Sequence, residues 1–153
     1  MAIPEHATSA LIVDLHALAR NYRTLCAAAA PAKCAAVVKA NAYGLGAVHV
    51  ARRLAREGCS EFFVATLAEG EELRAALPDA AIYVLEGVLA GQSRRLVEAR
   101  LAPVLGSLEQ AERWAAEAPV RPALVHVDTG ITRLGLSARE AHTLAHDRDL
   151  LDR

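Results

Sequence analysis

The sequence has 153 residues, 54% of them hydrophobic, so it is long enough for one domain with a substantial core. Its 17 basic and 18 acidic residues give a net charge of −1, which does not favour nucleic acid or an anionic membrane as a partner. Aromatic residues make up only 4%, and this scarcity argues against a base-stacking platform.

The three cysteines, Cys26, Cys34 and Cys59, match neither a CxxC motif nor a disulfide framework. Residues 1–10 lack the basic start and apolar core of a signal peptide. No apolar run approaches the ~18 residues that a membrane-spanning helix needs. We therefore expect a soluble cytoplasmic protein.

Apolar runs predict six strands, at residues 10–13, 35–38, 62–65, 81–85, 101–105 and 123–127. Helices are predicted between or after them, at about 15–29, 48–55, 66–77, 92–99, 107–118 and 137 onward. The expected N-caps are Asp14, Thr66, Ser107 and Ser137. Each of the last three is followed three residues later by Glu or Gln, which predicts a capping box.

From the second predicted strand onward, strands recur every ~20 residues and each is followed by a helix. This alternation is typical of βαβ units and predicts a parallel sheet. Right-handed crossovers are compatible with an open sheet or with a barrel, and periodicity does not separate the two.

Lys39 follows the strand at 35–38 and is followed by a turn that contains Asn41, Gly44 and Gly46. A lysine at the carboxyl end of a strand lies where α/β barrels hold their chemistry, and burial there makes it a usable amine nucleophile. The alternative is a surface lysine at a strand end. The G-x-G at Gly44 lacks the third glycine of a dinucleotide fingerprint, because His49 occupies that position.

Residues 125–135 form the second informative segment, in which a strand that we expect to be buried ends in Asp128 and Arg133 follows in the loop. An arginine there can hold a carboxylate or phenolate by paired hydrogen bonds. The alternative is an Asp128–Arg133 ion pair that only orders the loop. His142 and His146 lie four residues apart without a third ligand, so an exposed helix face is favoured over a metal site.

The string VVKANAYGLG at residues 37–46 closely resembles the cofactor-lysine segment of the alanine racemases, which depend on pyridoxal 5′-phosphate (PLP). In that family the lysine forms a Schiff base with the cofactor and a tyrosine four residues later reaches its phosphate. These roles fall on Lys39 and Tyr43. Many relatives have histidine at the position of Leu45.

The string DTGITRLG at residues 128–135 also resembles alanine racemase, in which the arginine lies beside the cofactor's phenolic oxygen and the substrate carboxylate. This role falls on Arg133. Many relatives have a lysine, carbamylated in some, where this chain has His126, and a methionine at Ile131. The resemblance extends to the third barrel strand, in which Leu85 would line the cofactor ring.

The resemblance implies an incomplete parallel (β/α) barrel of the TIM type, with about five of eight units. Residues 1–153 would be the N-terminal portion of the barrel domain, without the C-terminal β-domain and its tyrosine base, so we expect a fragment that is inactive alone. The full-length protein would be a homodimer that interconverts L-alanine and D-alanine and supplies D-alanine for peptidoglycan. The resemblance implies no metal.

Two other functional classes remain open. One is a non-catalytic PLP-binding protein of cofactor homeostasis, built on a related barrel. The other is a different PLP-dependent amino-acid racemase or a decarboxylase. Sequence beyond residue 153 would separate them, because a β-domain with a tyrosine favours racemase.

Overall fold

The computed structural model describes residues 6 and 8–152, and this part of the chain contains five strands and eight helices. The strands are β1 Ala36–Val37, β2 Glu61–Val64, β3 Ala81–Val84, β4 Ala102–Leu105 and β5 Leu124–Val125. The helices are α1 Leu15–Ala29, α2 Lys39–Tyr43, α3 Ala47–Arg56, α4 Leu67–Ala76, α5 Ser93–Glu98, α6 Leu108–Glu117, α7 Ala138–His146 and α8 Arg148–Leu151. None of the described helices is long and apolar enough to cross a membrane.

The five strands form one parallel sheet in the order β1-β2-β3-β4-β5, so each strand pairs with the next one along the chain. A doubly wound sheet reverses its strand order at a switch point, whereas successive units of a (β/α) barrel do not. The prediction of parallel βα units is therefore confirmed, and the order is that of consecutive barrel units.

The two faces of the sheet differ in burial. Side chains that point towards the helices form the buried core: Phe62, Val64, Ile82 and Val84. On the opposite face Phe63 and Tyr83 stack with ring centroids 4.8 Å apart. Because side chains alternate along a strand, Leu85 continues this second face beyond the end of β3.

The strand predicted at residues 10–13 is wrong, because no strand forms there and Leu11 and Ile12 are 74% and 70% exposed. Their apolar side chains favour a strand locally, but no described strand pairs with them. The edge strands β1 and β5 are also shorter than the predicted 35–38 and 123–127, since each has a described partner on one side only.

Side-chain caps form at all four predicted helix starts: Asp14, Thr66, Ser107 and Ser137. At Ser137 the carboxylate of Glu140 returns to the cap backbone and completes a capping box. The other two predicted boxes are only half formed, because the Glu69 and Gln110 side chains bond elsewhere.

The Arg74 guanidinium joins the amino ends of two strands. Its nitrogens lie 2.7–3.0 Å from the carbonyl oxygens of Leu77, Pro78, Ala80, Ala99 and Arg100. Burial, reinforced by the Arg100 cation, lowers the pKa of Arg74, yet arginine stays charged at neutral pH. The amino-terminal face of a (β/α) barrel serves stability, so we assign Arg74 a structural role.

We expect Arg74→Met to lower the free energy of unfolding by ~2–4 kcal/mol, because carbonyl groups that now accept charge-assisted hydrogen bonds lose their donor. Urea denaturation of the full-length protein measures the change. The control is Arg94→Met, which removes an exposed ion pair with Glu98 and is expected to cost less than ~1 kcal/mol. Equal effects of the two substitutions would contradict a special role for Arg74.

Candidate active site

Lys39 lies directly beyond the carboxyl end of β1. The Val38 N–H donates to the Phe63 carbonyl at 2.9 Å, which is the last bond between β1 and β2 before Lys39. The Lys39 side chain is half-buried and forms no hydrogen bond or ion pair with any residue that the structure describes. An amine in this position is available to a ligand.

Four successive residues after Lys39, at positions 40–43, have positive φ angles of 50–55°. Left-handed backbone at residues other than glycine costs roughly 1–3 kcal/mol each and concentrates at functional sites. The sequence predicted a turn here from Asn41 and the glycines, but it did not predict a left-handed one.

Local hydrogen bonds hold this left-handed turn. The Ala42 N–H donates to the Val38 carbonyl at 2.9 Å, and the Gly46 N–H donates to the Asn41 carbonyl at 2.9 Å. The Asn41 side chain also accepts from the Ala47 N–H at 2.8 Å, at the start of α3. The segment after Lys39 is therefore fixed at both ends.

Tyr43 is the last residue of the left-handed turn. It is 66% exposed and does not line the pocket that contains Lys39. Its role as a phosphate ligand stays a prediction.

Lys39 opens into a pocket of about 320 Å³ at the carboxyl edge of the sheet. The pocket is lined by Lys39, Ala65, Thr66, Leu85, Glu86, His126, Ile131, Arg133 and Leu134. Three of the four site residues predicted from the sequence, Lys39, Leu85 and Arg133, thus meet at one place.

The loop that carries Arg133 is ordered by Asp128. The Asp128 carboxylate accepts from the N–H groups of Gly130 at 2.9 Å and Thr132 at 3.0 Å, and these bonds lower the pKa of Asp128. The contribution of this carboxylate is therefore present at neutral pH and is lost as the pH falls through the lowered pKa. No described residue pairs with the Arg133 guanidinium, so the predicted alternative, an Asp128–Arg133 ion pair, is wrong.

Backbone hydrogen bonds close the same loop at its base. The Leu136 N–H donates to the His126 carbonyl at 2.7 Å, and the Asp128 N–H donates to the Leu136 carbonyl at 2.9 Å. Gly135 has φ +105°, and a Cβ there would lie 2.8 Å from the Asp128 nitrogen and 3.1 Å from the His126 ring. Only glycine fits this position.

We expect Gly135→Ala to lower the free energy of unfolding by ~2–4 kcal/mol, because backbone strain and a clash with backbone act together. Gly130→Ala is the matched control, since Gly130 also has a positive φ but nothing lies within 4 Å of its Cβ position. It is expected to cost ~1–2 kcal/mol. Denaturation measures the free energy of unfolding of both variants. Equal losses in the two variants would contradict the steric argument.

Glu86 was missed by the sequence analysis although it lines the pocket. Its carboxylate accepts a hydrogen bond from the Leu67 N–H at 2.9 Å. The available signal was its place directly after a buried strand, at the edge where Lys39 lies. Two basic side chains of the pocket, Lys39 and Arg133, have no described partner. The pocket therefore suits an anionic ligand that reacts with an amine.

The two histidines of α7 stack with ring centroids 4.3 Å apart. His146 Nδ1 lies 2.8 Å from the His142 carbonyl oxygen. Within residues 6 and 8–152, no group of three or more His, Cys, Asp or Glu side chains is arranged to hold a metal ion.

The sequence and fold match known proteins. The model of the alanine racemase N-terminal domain matches residues 13–152. The alanine racemase of Methylobacterium sp. (strain 4-46) is 51% identical over 146 residues, which are 93% of this chain and 40% of that protein.

Solved structures match as well. The alanine racemase of Bartonella henselae, crystallised with covalently bound pyridoxal phosphate, is 37% identical with a TM-score of 0.85 and is matched over 92% of this chain and 40% of that one. The E. faecalis alanine racemase is 30% identical with a TM-score of 0.81, and the match covers 95% of this chain and 41% of that one. This chain therefore spans about 40% of the length of these relatives.

Proposed function

This chain belongs to the alanine racemase family, and from that premise we propose that the full-length protein interconverts L-alanine and D-alanine with PLP as cofactor. The observation that carries the proposal is the convergence of Lys39, Leu85 and Arg133 on one pocket. We also propose that residues 1–153 are the N-terminal portion of the enzyme's barrel domain.

The residues of the pocket fit the cofactor. A volume of about 320 Å³ lies in the range of small-molecule sites. The Lys39 amine suits an aldehyde, the Leu85 side chain offers an apolar surface to a planar ring, and the Arg133 guanidinium suits an anionic oxygen. Both cations have no described partner to compete with the ligand.

Each of these side chains has a distinct task. When bound, PLP supplies an electron sink for the negative charge that develops at the substrate Cα. Lys39 would hold the cofactor through Nζ, and its amine would take or return a proton at that carbon. Arg133 would orient the substrate carboxylate by paired hydrogen bonds, and Leu85 would offer an apolar surface to the cofactor ring.

The finer assignments rest on family membership. We propose that Tyr43 binds the cofactor phosphate, that the enzyme is a cytoplasmic homodimer, and that its D-alanine supplies peptidoglycan synthesis. Alanine is the proposed substrate.

The test is to incubate the full-length protein with PLP and L-alanine in deuterium oxide. Deuterium should enter at Cα and D-alanine should accumulate. Cofactor binding without either change would indicate the non-catalytic PLP-binding class. Release of carbon dioxide would indicate a decarboxylase, and turnover of another amino acid alone would indicate a different racemase.

A further inference from the structure

Glu69 links the ends of β1 and β2 through both of its carboxylate oxygens. Oε1 accepts from the N–H of Ala40, the residue after Lys39, at 2.8 Å. Oε2 accepts from the N–H of Ala65, which follows β2 and lines the pocket, at 2.7 Å. One half-buried side chain therefore holds two strand ends together beside the proposed cofactor lysine.

Similar links continue along the same edge of the sheet. Glu86, at the end of β3, accepts from the Leu67 N–H at the start of α4, at 2.9 Å. Gln110 accepts from the Gly106 N–H at 2.8 Å and donates from Nε2 to the Glu86 carbonyl at 3.0 Å. We call Glu69, Glu86 and Gln110 the rim belt.

The chemistry of each belt residue matches its partners. Glu69 faces two N–H donors, and a carboxylate provides an acceptor for each. Gln110 faces one donor and one acceptor, and an amide provides both complements. Glutamine at position 69 would place an NH₂ group against a backbone N–H, so the bonding pattern requires a carboxylate there.

The belt connects the two cations of the pocket. It begins at the residue after Lys39 and reaches Gly106 at the end of β4. A Cβ on Gly106 would lie 3.3 Å from the Gly135 nitrogen, so Gly106 lies close to the base of the loop that carries Arg133. The left-handed turn after Lys39 is strained, and the Glu69 bond fixes its first N–H.

We propose that the rim belt sets the separation of Lys39 and Arg133 across the pocket, with Glu69 as the positioning residue for Lys39. The consequence for PLP capture rests on the proposed function. The placement of the Lys39 amine does not, and it can be measured on its own.

The test compares Glu69→Gln with Glu72→Gln in the full-length protein. Glu72 is on the same helix and exposed, so its variant removes the same charge without touching the belt. Residues 1–153 contain only two lysines, and Lys33 is the internal reference because its side chain is 83% exposed. Reductive ¹³C-methylation followed by NMR reports the lysines, with the Lys39 and Lys33 signals assigned from Lys39→Arg and Lys33→Arg, and hydrogen exchange reports the amides of Ala40 and Ala65.

In Glu69→Gln we expect amide hydrogen exchange at Ala40 or Ala65 to accelerate at least about tenfold, because one charge-assisted hydrogen bond is lost. The methylated Lys39 signal should shift while the Lys33 signal stays in place, and Glu72→Gln should change neither. Glu69→Asp, which keeps both oxygens on a shorter stem, should give an intermediate shift. An unchanged Lys39 signal in Glu69→Gln would overturn the positioning role, as would an equal shift in Glu72→Gln.

PLP with borohydride provides the second readout. The fraction of Lys39 that is labelled should be about tenfold or more lower in Glu69→Gln than in the wild-type protein. If the Lys39 signal shifts in Glu69→Gln as expected but PLP does not label Lys39 of the wild-type protein, the proposed function fails and the rim belt stands. If PLP labels Lys39 of the wild-type protein and labels it equally in Glu69→Gln, the belt does not govern access to the cofactor and its positioning role is overturned.

Discussion

Borohydride reduction of the full-length protein with PLP is expected to place the pyridoxyl group on Lys39 and to leave Lys33 unmodified. Lys39 is half-buried, lines the pocket, and has no described partner. Lys33 is exposed outside this pocket, and its ammonium lies 3.8 Å from the Glu61 carboxylate. Peptide mapping of the reduced protein distinguishes the two sites.

Substitution of Lys39 has the largest expected effect on activity. Lys39→Ala should abolish racemisation of alanine, and Lys39→Arg should nearly do so, because a guanidinium does not deprotonate at neutral pH and cannot act as the amine. Lys33→Ala is the matched control and should retain wild-type activity. An adduct on Lys33, or turnover in Lys39→Ala, would remove Lys39 from the proposed mechanism.

The central strands were predictable because their signal is local. Residues 62–65, 81–85 and 101–105 were expected, and β2, β3 and β4 form within one residue of those bounds. Each has a partner on both sides, so burial reinforces its apolar pattern. Residues 10–13 have a similar composition but form no strand, because pairing depends on distant neighbours that composition does not report.

The positions of two residues in the candidate pocket were predictable, because each lies in a sequence motif. The segments around Lys39 and Arg133 indicated two pocket residues that lie far apart in the chain. The hydrogen bonds of Glu69 were not predicted, because its spacing from Thr66 favours a local capping box. Its carboxylate instead reaches Ala40, 29 positions away, and only the packing of α4 against α2 brings the two together.

Substitution of Arg133 has the second large expected effect on activity. We expect Arg133→Lys to lower kcat/KM for alanine ~10- to 1000-fold, because an ammonium cannot reproduce the paired hydrogen bonds of a guanidinium to a carboxylate. Arg139→Lys, an exposed position on α7, is the control and should leave the rate unchanged. Steady-state kinetics with both enantiomers measures the effect, and wild-type activity in Arg133→Ala would remove Arg133 from the mechanism.

The neighbour of Arg133 tests how that guanidinium is oriented. Many relatives have a lysine, carbamylated in some, where this chain has His126, and histidine lacks the amine that carbon dioxide modifies. His126 lines the same pocket as Arg133, so the two side chains share one ligand space. His126→Lys should therefore keep activity if a carbamate forms there, and that activity should rise with added bicarbonate. Activity that is lost and that bicarbonate does not restore would show that this pocket depends on the imidazole.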